Sequence, residues 1–134
     1  MGTWDYNNFN NDDAAGFIFE VIDLGLEKVI EIISVVAKTK ESDYLEAPMG
    51  SAALVVIEIM AAIIGKQSKD FPEALEEWLK HNKDTSIDEN IILISQKAID
   101  RIMGNQSEIK ELWQESDDYV KWCGAIEDLR IRIM

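Results

Sequence analysis

Between Ala52 and Ile64 every residue is apolar except Glu58. A helix that is apolar on all sides has to be buried on all sides. Residues 48–65 therefore predict a central helix with other helices packed around it. Pro48 suits the first turn of that helix and Gly65 its exit. The stretch is too short, and too interrupted by Glu58, to cross a bilayer. The alanines at 52, 53, 61 and 62 would let neighbouring helices approach closely.

Amphipathic periods flank this segment on both sides. Ala14, Phe17, Ile18, Val21 and Ile22 share a helical face, with Asn11 or Asp12 as the expected cap and Asp13 favourable at the positive end of the helix dipole. Gly25 breaks the run. Leu26, Val29, Ile30, Ile33, Val36 and Ala37 then predict a second helix to about Lys38. After Gly65, Pro72 opens a short helix with Phe71, Leu75, Trp78 and Leu79 inward. Ser86 or Asp88 starts the next, whose Ile91, Ile92, Ile94, Ala98, Ile99, Ile102 and Met103 point inward until Gly104. Ser107 is the expected cap of a short helix containing Ile109, Leu112 and Trp113. The last helix, from near Ser116, reads Tyr119, Trp122, Ile126, Leu129 and Ile133, an apolar seam like one side of a coiled coil. No stretch alternates as a strand does. The fold class expected is all-α, about seven helices around residues 48–65 in one domain spanning 1–134. The opening residues 1–11 lack periodicity but carry Trp4, Tyr6 and Phe9, so an ordered loop lying against the helices is expected, with Trp4 buried.

Composition narrows the class. At 134 residues the chain can bury a sizeable core. One cysteine, Cys123, excludes an internal disulfide and a zinc cage of several thiolates. No basic segment followed by an apolar run marks a signal peptide, so a soluble, reduced, cytoplasmic protein is expected. Charge changes the picture most. The formal net charge is −13, spread evenly, with 11 acidic against four basic residues in 1–67 and 15 against nine in 68–134. Such a surface repels nucleic acid and anionic lipid and attracts basic proteins. Solubility alone would also explain it.

The two ends carry more specific patterns. The opening has Gly2, Thr3, Trp4, Phe9, Asn11, Asp12, Ala14 and Phe17; the closing stretch has Ser107, Glu108, Glu111, Leu112, Trp113, Asp128, Leu129, Arg130 and Arg132. With Tyr44-Leu45-Glu46-Ala47-Pro48 and Glu58 in the middle, nearly the whole chain resembles a widespread bacterial family of small proteins with no assigned function. Its members tend to begin Met-Gly-Thr-Trp-Gly, then a Phe and an Asn-Asp pair, and to end Ser-Glu-Leu-x-Glu-Leu-Trp, then Asp-Leu-Arg-x-Arg. Asp5 and Asn7 stand where that family usually has Gly, and both residue types tolerate a left-handed backbone. Gly16 replaces a typical Asp and weakens the first helix by roughly 1 kcal/mol. The resemblance implies one helical domain and cytoplasmic life, and supplies no catalytic residue.

Glu58 is the sharpest single feature. A carboxylate in a helix without a polar face is protonated, paired or held by donated hydrogen bonds. As a functional group it would be a catalytic or metal-binding acid. As a structural one it would be an anchor, bonded to Trp4 and the amides of the opening loop, or to Arg101 or Arg130. The structural role is preferred, since no second polar residue lies one turn away. His81, the only histidine, sits in a polar loop without a nucleophile or ligand partner, and Cys123 beside Trp122 reads as a packing residue. Asp12-Asp13 sits at a helix start, where capping accounts for both. No Gly-rich phosphate loop, G-x-S-x-G, H-E-x-x-H or C-x-x-C is present. No cofactor is implied.

Glu73, Asp88, Glu89, Glu108, Asp117 and Asp118 fall in first turns, where the dipole favours them; Glu76, Glu77, Glu111 and Glu115 are not covered by that account. The run 108–118 goes further, with Glu108, Glu111, Glu115, Asp117 and Asp118 against Lys110 alone. These five are the candidate partner-binding residues, whereas Trp4, Glu58 and Trp113 are structural. The leading functional expectation is a non-enzymatic acidic binding module, an immunity protein that neutralises a cognate basic toxin, nuclease-type in the simplest case. Two alternatives remain: a hydrolase or ligand-binding protein using Glu58, Asp12 and Asp13, and a housekeeping protein or subunit packing through the seam of the last helix.

Overall fold

The computed structural model describes residues 12–26, 30–69, 71–82 and 87–134. Residues 1–11, with Trp4 and the expected aromatic loop, lie outside them, as do the side chains of Asp12 and Asp13 and residues 27–29 of the second apolar run. Among the described residues the fold is all-α, in the order α1 (Asp12–Leu24), α2 (Glu31–Lys38), α3 (Ala47–Ile63), α4 (Glu73–Lys80), α5 (Glu89–Met103), α6 (Glu108–Gln114) and α7 (Tyr119–Arg132). The one β-type pairing is an isolated bridge between Leu45 and Ser107.

α3 is the predicted central helix. Every residue from Gly50 to Ala62 is buried, Glu58 included, and the helix touches α1, α2, α5, α6 and α7. Its start is extended at Glu46, with Pro48 in the first turn. Its end is set by Gly65, whose φ of +86° is open to glycine at little cost. The Gly65 amide donates to Ala62 O at 3.0 Å and the Lys66 amide to Ala61 O at 2.7 Å, the paired bonds that close a helix over a left-handed residue. A neighbouring helix comes close at Gly50. A Cβ there would stand 3.1 Å from Ile109 Cγ2, so α6 rests almost on the backbone of α3.

The remaining faces follow the apolar periods. Ala14, Ile18 and Val21 of α1, Ile33 and Val36 of α2, Leu75 and Leu79 of α4, and Ala98, Ile99 and Ile102 of α5 join one contiguous core. Ile22 departs from expectation at 39% exposed. Asp88 caps α5, its Oδ1 accepting the Ile91 amide at 2.9 Å. Ser107 precedes α6 as expected but makes no side-chain cap; its buried hydroxyl has no hydrogen-bond partner among the described residues. Its backbone neighbours are committed to the bridge, with the Leu45 amide donating to Gln106 O at 2.8 Å and the Glu108 amide to Leu45 O at 2.9 Å.

α7 begins at Tyr119 rather than near Ser116, whose hydroxyl instead accepts the Asp118 amide at 2.9 Å. Trp122, Ile126, Leu129 and Ile133 are all buried in the chain's own core. These four seam residues therefore pack within the fold, whereas Val120 and Ile131 of the same helix are exposed. Trp122 stacks on Trp113 of α6 at 6.2 Å between ring centroids and on Tyr119 at 6.1 Å. No helix of the described residues is long and apolar enough to cross a membrane.

Gln106 has a φ of +54° and is the one non-glycine with positive φ among the described residues. Its side chain is exposed, so little packing would be lost on removing it. Gln106→Gly is expected to stabilise the protein by on the order of 0.5–1 kcal/mol, because the left-handed backbone strain of a Cβ disappears. Denaturant unfolding reads this directly. An unchanged or lower midpoint would mean that Gln106 is held without strain.

Candidate functional site

Glu58 lies on α3 where α7 ends. Arg132 meets both of its oxygens, Nη1 to Oε1 at 2.7 Å and Nη2 to Oε2 at 3.1 Å. The same guanidinium donates Nε to Asp128 at 2.8 Å and Nη1 to Lys66 O at 3.1 Å. Burial alone would lower the Arg132 pKa; the carboxylates of Glu58 and Asp128 outweigh it, and the net shift is upward. The anchoring role expected of Glu58 fits this geometry, but its arginine is neither Arg101 nor Arg130. Arg130 pairs with Asp100 and Glu127 at the surface, and Arg101 is held by carbonyls. Arg132 flanks the apolar seam rather than lying on it, so local period gives no sign of this pairing. The side chain of Glu58 is 4% exposed, and no group of three or more His, Cys, Asp or Glu able to hold a metal occurs among the described residues. His81 is exposed, 3.6 Å from Glu77.

The acidic run 108–118 divides into two kinds of carboxylate. Glu108 is half-buried, and its Oε1 accepts the Ala47 amide at 2.7 Å. It thereby caps the central helix from another helix, supplying the acceptor that Glu46 does not. Glu111 accepts the Tyr44 hydroxyl at 2.6 Å. That bond, with the nearby charges of Glu111, Glu108 and Glu46, pushes the Tyr44 phenol up to about 12. Between pH 10 and pH 12 the folded chain thus holds a proton that an unfolded chain releases, so this contact stabilises below pH 10 and is lost as pH rises through 12. Glu115 and Asp117 are exposed, and Asp118 is half-buried with Lys121 at 3.9 Å. Two of the five expected partner-binding acids therefore also hold the fold together.

The one base in the run faces away from them. Lys110 Nζ donates to Met103 O at 2.8 Å and Gly104 O at 3.5 Å, at the C-terminal end of α5, where the dipole favours a cation. The surface is also wider than sequence position implied. Tyr44 and Glu46, from the connection before α3, lie beside Glu108 and Glu111 and are exposed. The clustering of Glu41, Asp43 and Glu46 around Tyr44 was the available signal. A second acidic area lines a shallow depression of about 470 Å³ between Glu73, Ala74, Glu76, Glu77 and Lys80. An apolar cleft of about 110 Å³ lies between α2 and α5, lined by Ile30, Glu31, Ile33, Ser34, Ile91 and Ile94. Glu58 borders neither.

An all-α fold packed on a buried central helix, with Glu46, Glu108 and Glu111 grouped around Tyr44, is the class these features define. The chain belongs to the family described as Domain of unknown function (DUF4259), whose model matches residues 2–125. Trp4, Glu58 and Trp113 fall within the matched span, and Arg130 and Arg132 beyond it. Comparison with curated proteins and with solved structures yields no match.

Proposed function

We propose that the protein is a non-enzymatic acidic binding module acting in the cytoplasm, and within that class an immunity protein that neutralises a cognate basic toxin, of nuclease type in the simplest case. The observation that carries this reading is that the acidic run keeps exposed carboxylates while its own lysine and the chain's three arginines are turned onto partners within the fold. All three arginines of the chain turn inward or onto neighbouring acids: Arg101 onto carbonyls, Arg130 onto Asp100 and Glu127, Arg132 onto Glu58 and Asp128. Lys110 turns onto the end of α5. Glu46 and Glu111 beside Tyr44, and Glu115 and Asp117 after α6, remain exposed. Complementary charge of this kind steers association and selects partners. The same field disfavours nucleic acid and anionic membranes as direct ligands.

Glu115 and Asp117 are the residues for a test, because neither carboxylate has a side-chain partner among the described residues, whereas Glu111 holds Tyr44. The double reversal Glu115→Lys/Asp117→Lys should shift stability by less than about 0.5 kcal/mol per site. A basic toxin domain encoded beside this chain should arrest growth when expressed alone and spare it when the chain is co-expressed. The reversal should then slow association several-fold at low salt and flatten its salt dependence, with dissociation little changed. Unchanged association rates at low salt remove Glu115 and Asp117 from the interface. Growth arrest that persists on co-expression overturns the immunity reading.

A further inference from the structure

Arg101 has five hydrogen bonds and all of them go to backbone carbonyls. Nε donates to Thr39 O at 2.7 Å and Nη1 to Asn105 O at 2.8 Å; Nη2 reaches Asp43 O at 2.7 Å, Lys40 O at 3.2 Å and Gln106 O at 3.3 Å. The residue is 6% exposed, and no carboxylate among the described residues pairs with it. Its charge is met by the ends of two helices. Thr39 and Lys40 follow α2, Asn105 and Gln106 follow α5, and both helices direct the negative end of their dipoles at the guanidinium. A planar fork with five donors can bind two chain segments at once, which an ammonium on a flexible stem cannot do in one geometry.

The two segments it joins carry the acidic surface. The connection 39–46 bears Tyr44 and Glu46, and the turn 104–107 leads directly into Glu108 and Glu111. Above the guanidinium they are linked again by the Leu45–Gln106 and Glu108–Leu45 backbone bonds, by Glu108 with the Ala47 amide, and by Tyr44 with Glu111. We infer that Arg101 is a positioning residue, the tie that holds the 39–46 connection and the 104–107 turn as one local unit so that Tyr44, Glu46, Glu108 and Glu111 meet a partner together. Its meaning for binding rests on the acidic-surface reading above; the tie itself does not.

Native-state hydrogen exchange on the full chain separates this from a general contribution to the core. In the wild type, the Arg101 Nε–H and the amides of Leu45 and Glu108 should be protected and exchange in one shared opening, with the same dependence on denaturant. In Arg101→Lys, which keeps the net charge, the Leu45 and Glu108 amides should exchange at least tenfold faster. The Val55 and Ile57 amides of α3 should change only as much as the measured global stability does. Leu45 and Glu108 amides that stay as protected as in the wild type overturn the inference, and so does a common acceleration of all amides. If Arg101→Lys does not fold, the wild-type measurement still decides, because different denaturant dependences at Leu45 and Glu108 also overturn it. A parallel titration with a nine-residue oligoarginine peptide reads the surface. The amides of 44–46 and 108–111 should shift together with one dissociation constant in the wild type, and bind at least threefold more weakly in Arg101→Lys. A peptide that leaves those amides unmoved in the wild type overturns the acidic-surface reading, while the exchange result alone decides on the tie.

Discussion

Arg132→Met is expected to destabilise the protein by on the order of 3–5 kcal/mol. Removing the guanidinium takes away the donor that meets both oxygens of Glu58, whose side chain is 4% exposed. Removing the carboxylate leaves Arg132 with Asp128 at 2.8 Å and Lys66 O at 3.1 Å, at a site 15% open to water. Methionine keeps the length of the aliphatic stem, so the loss reports the charge rather than a cavity. The double variant Glu58→Met/Arg132→Met should recover most of the stability, because two apolar side chains replace both charges at the buried site. Urea unfolding of Glu58→Met, Arg132→Met and the double variant gives the cycle. A loss below about 1 kcal/mol in Arg132→Met, the range of an exposed pair, would show that the pair does not anchor the end of α7.

Trp122→Ala is the second large effect, an expected loss of about 3–5 kcal/mol. Trp122 is 1% exposed, and its ring lies between Trp113, nearly parallel at 11°, and Tyr119, at 29°. Truncation removes the stacking on both sides, each contact contributing ~0.5–1.5 kcal/mol beyond area burial, and opens a void where α6 meets α7. Trp122→Phe should recover a substantial part, since an aromatic face remains. Near-ultraviolet circular dichroism should lose intensity in the alanine variant along with the unfolding midpoint. A loss below about 1.5 kcal/mol would mean that α7 packs loosely and that α6 needs no aromatic support.

Much of the helical scaffold was legible in the amino-acid order. Helices and their inward faces depend on residues three and four apart, so Val21, Ile33, Leu75, Ile102 and Leu129 could be placed in the core from local period alone. The continuous apolar run had one physical solution, burial on all sides, and α3 has it. The glycine at 65 could be recognised as a helix exit because few other residues adopt its φ cheaply. The negative balance of charge was likewise visible without any fold.

What only the tertiary structure decided is where the polar groups of distant segments meet. Glu58 and Arg132 are 74 residues apart, and their pairing depends on where α7 ends against α3, which no local period encodes. Three arginines were available, and the apolar seam of α7 placed Arg132 beside the buried face rather than on it. Glu108 looked like a residue favoured by its own helix dipole, yet its Oε1 caps α3 because Gly50 lets α6 approach so closely. Arg101 gave no sign in sequence of binding five carbonyls, since carbonyls belong to every residue and only the convergence of two helix ends gathers them. The sequence by itself determined which residues are helical, which faces are apolar and that the surface is acidic, because those properties are local or additive. The ion pair under α7, the cap on α3 and the tie beneath Tyr44 were decided by packing, because a polar contact needs two groups within about 3 Å, and chain separation says nothing of that distance.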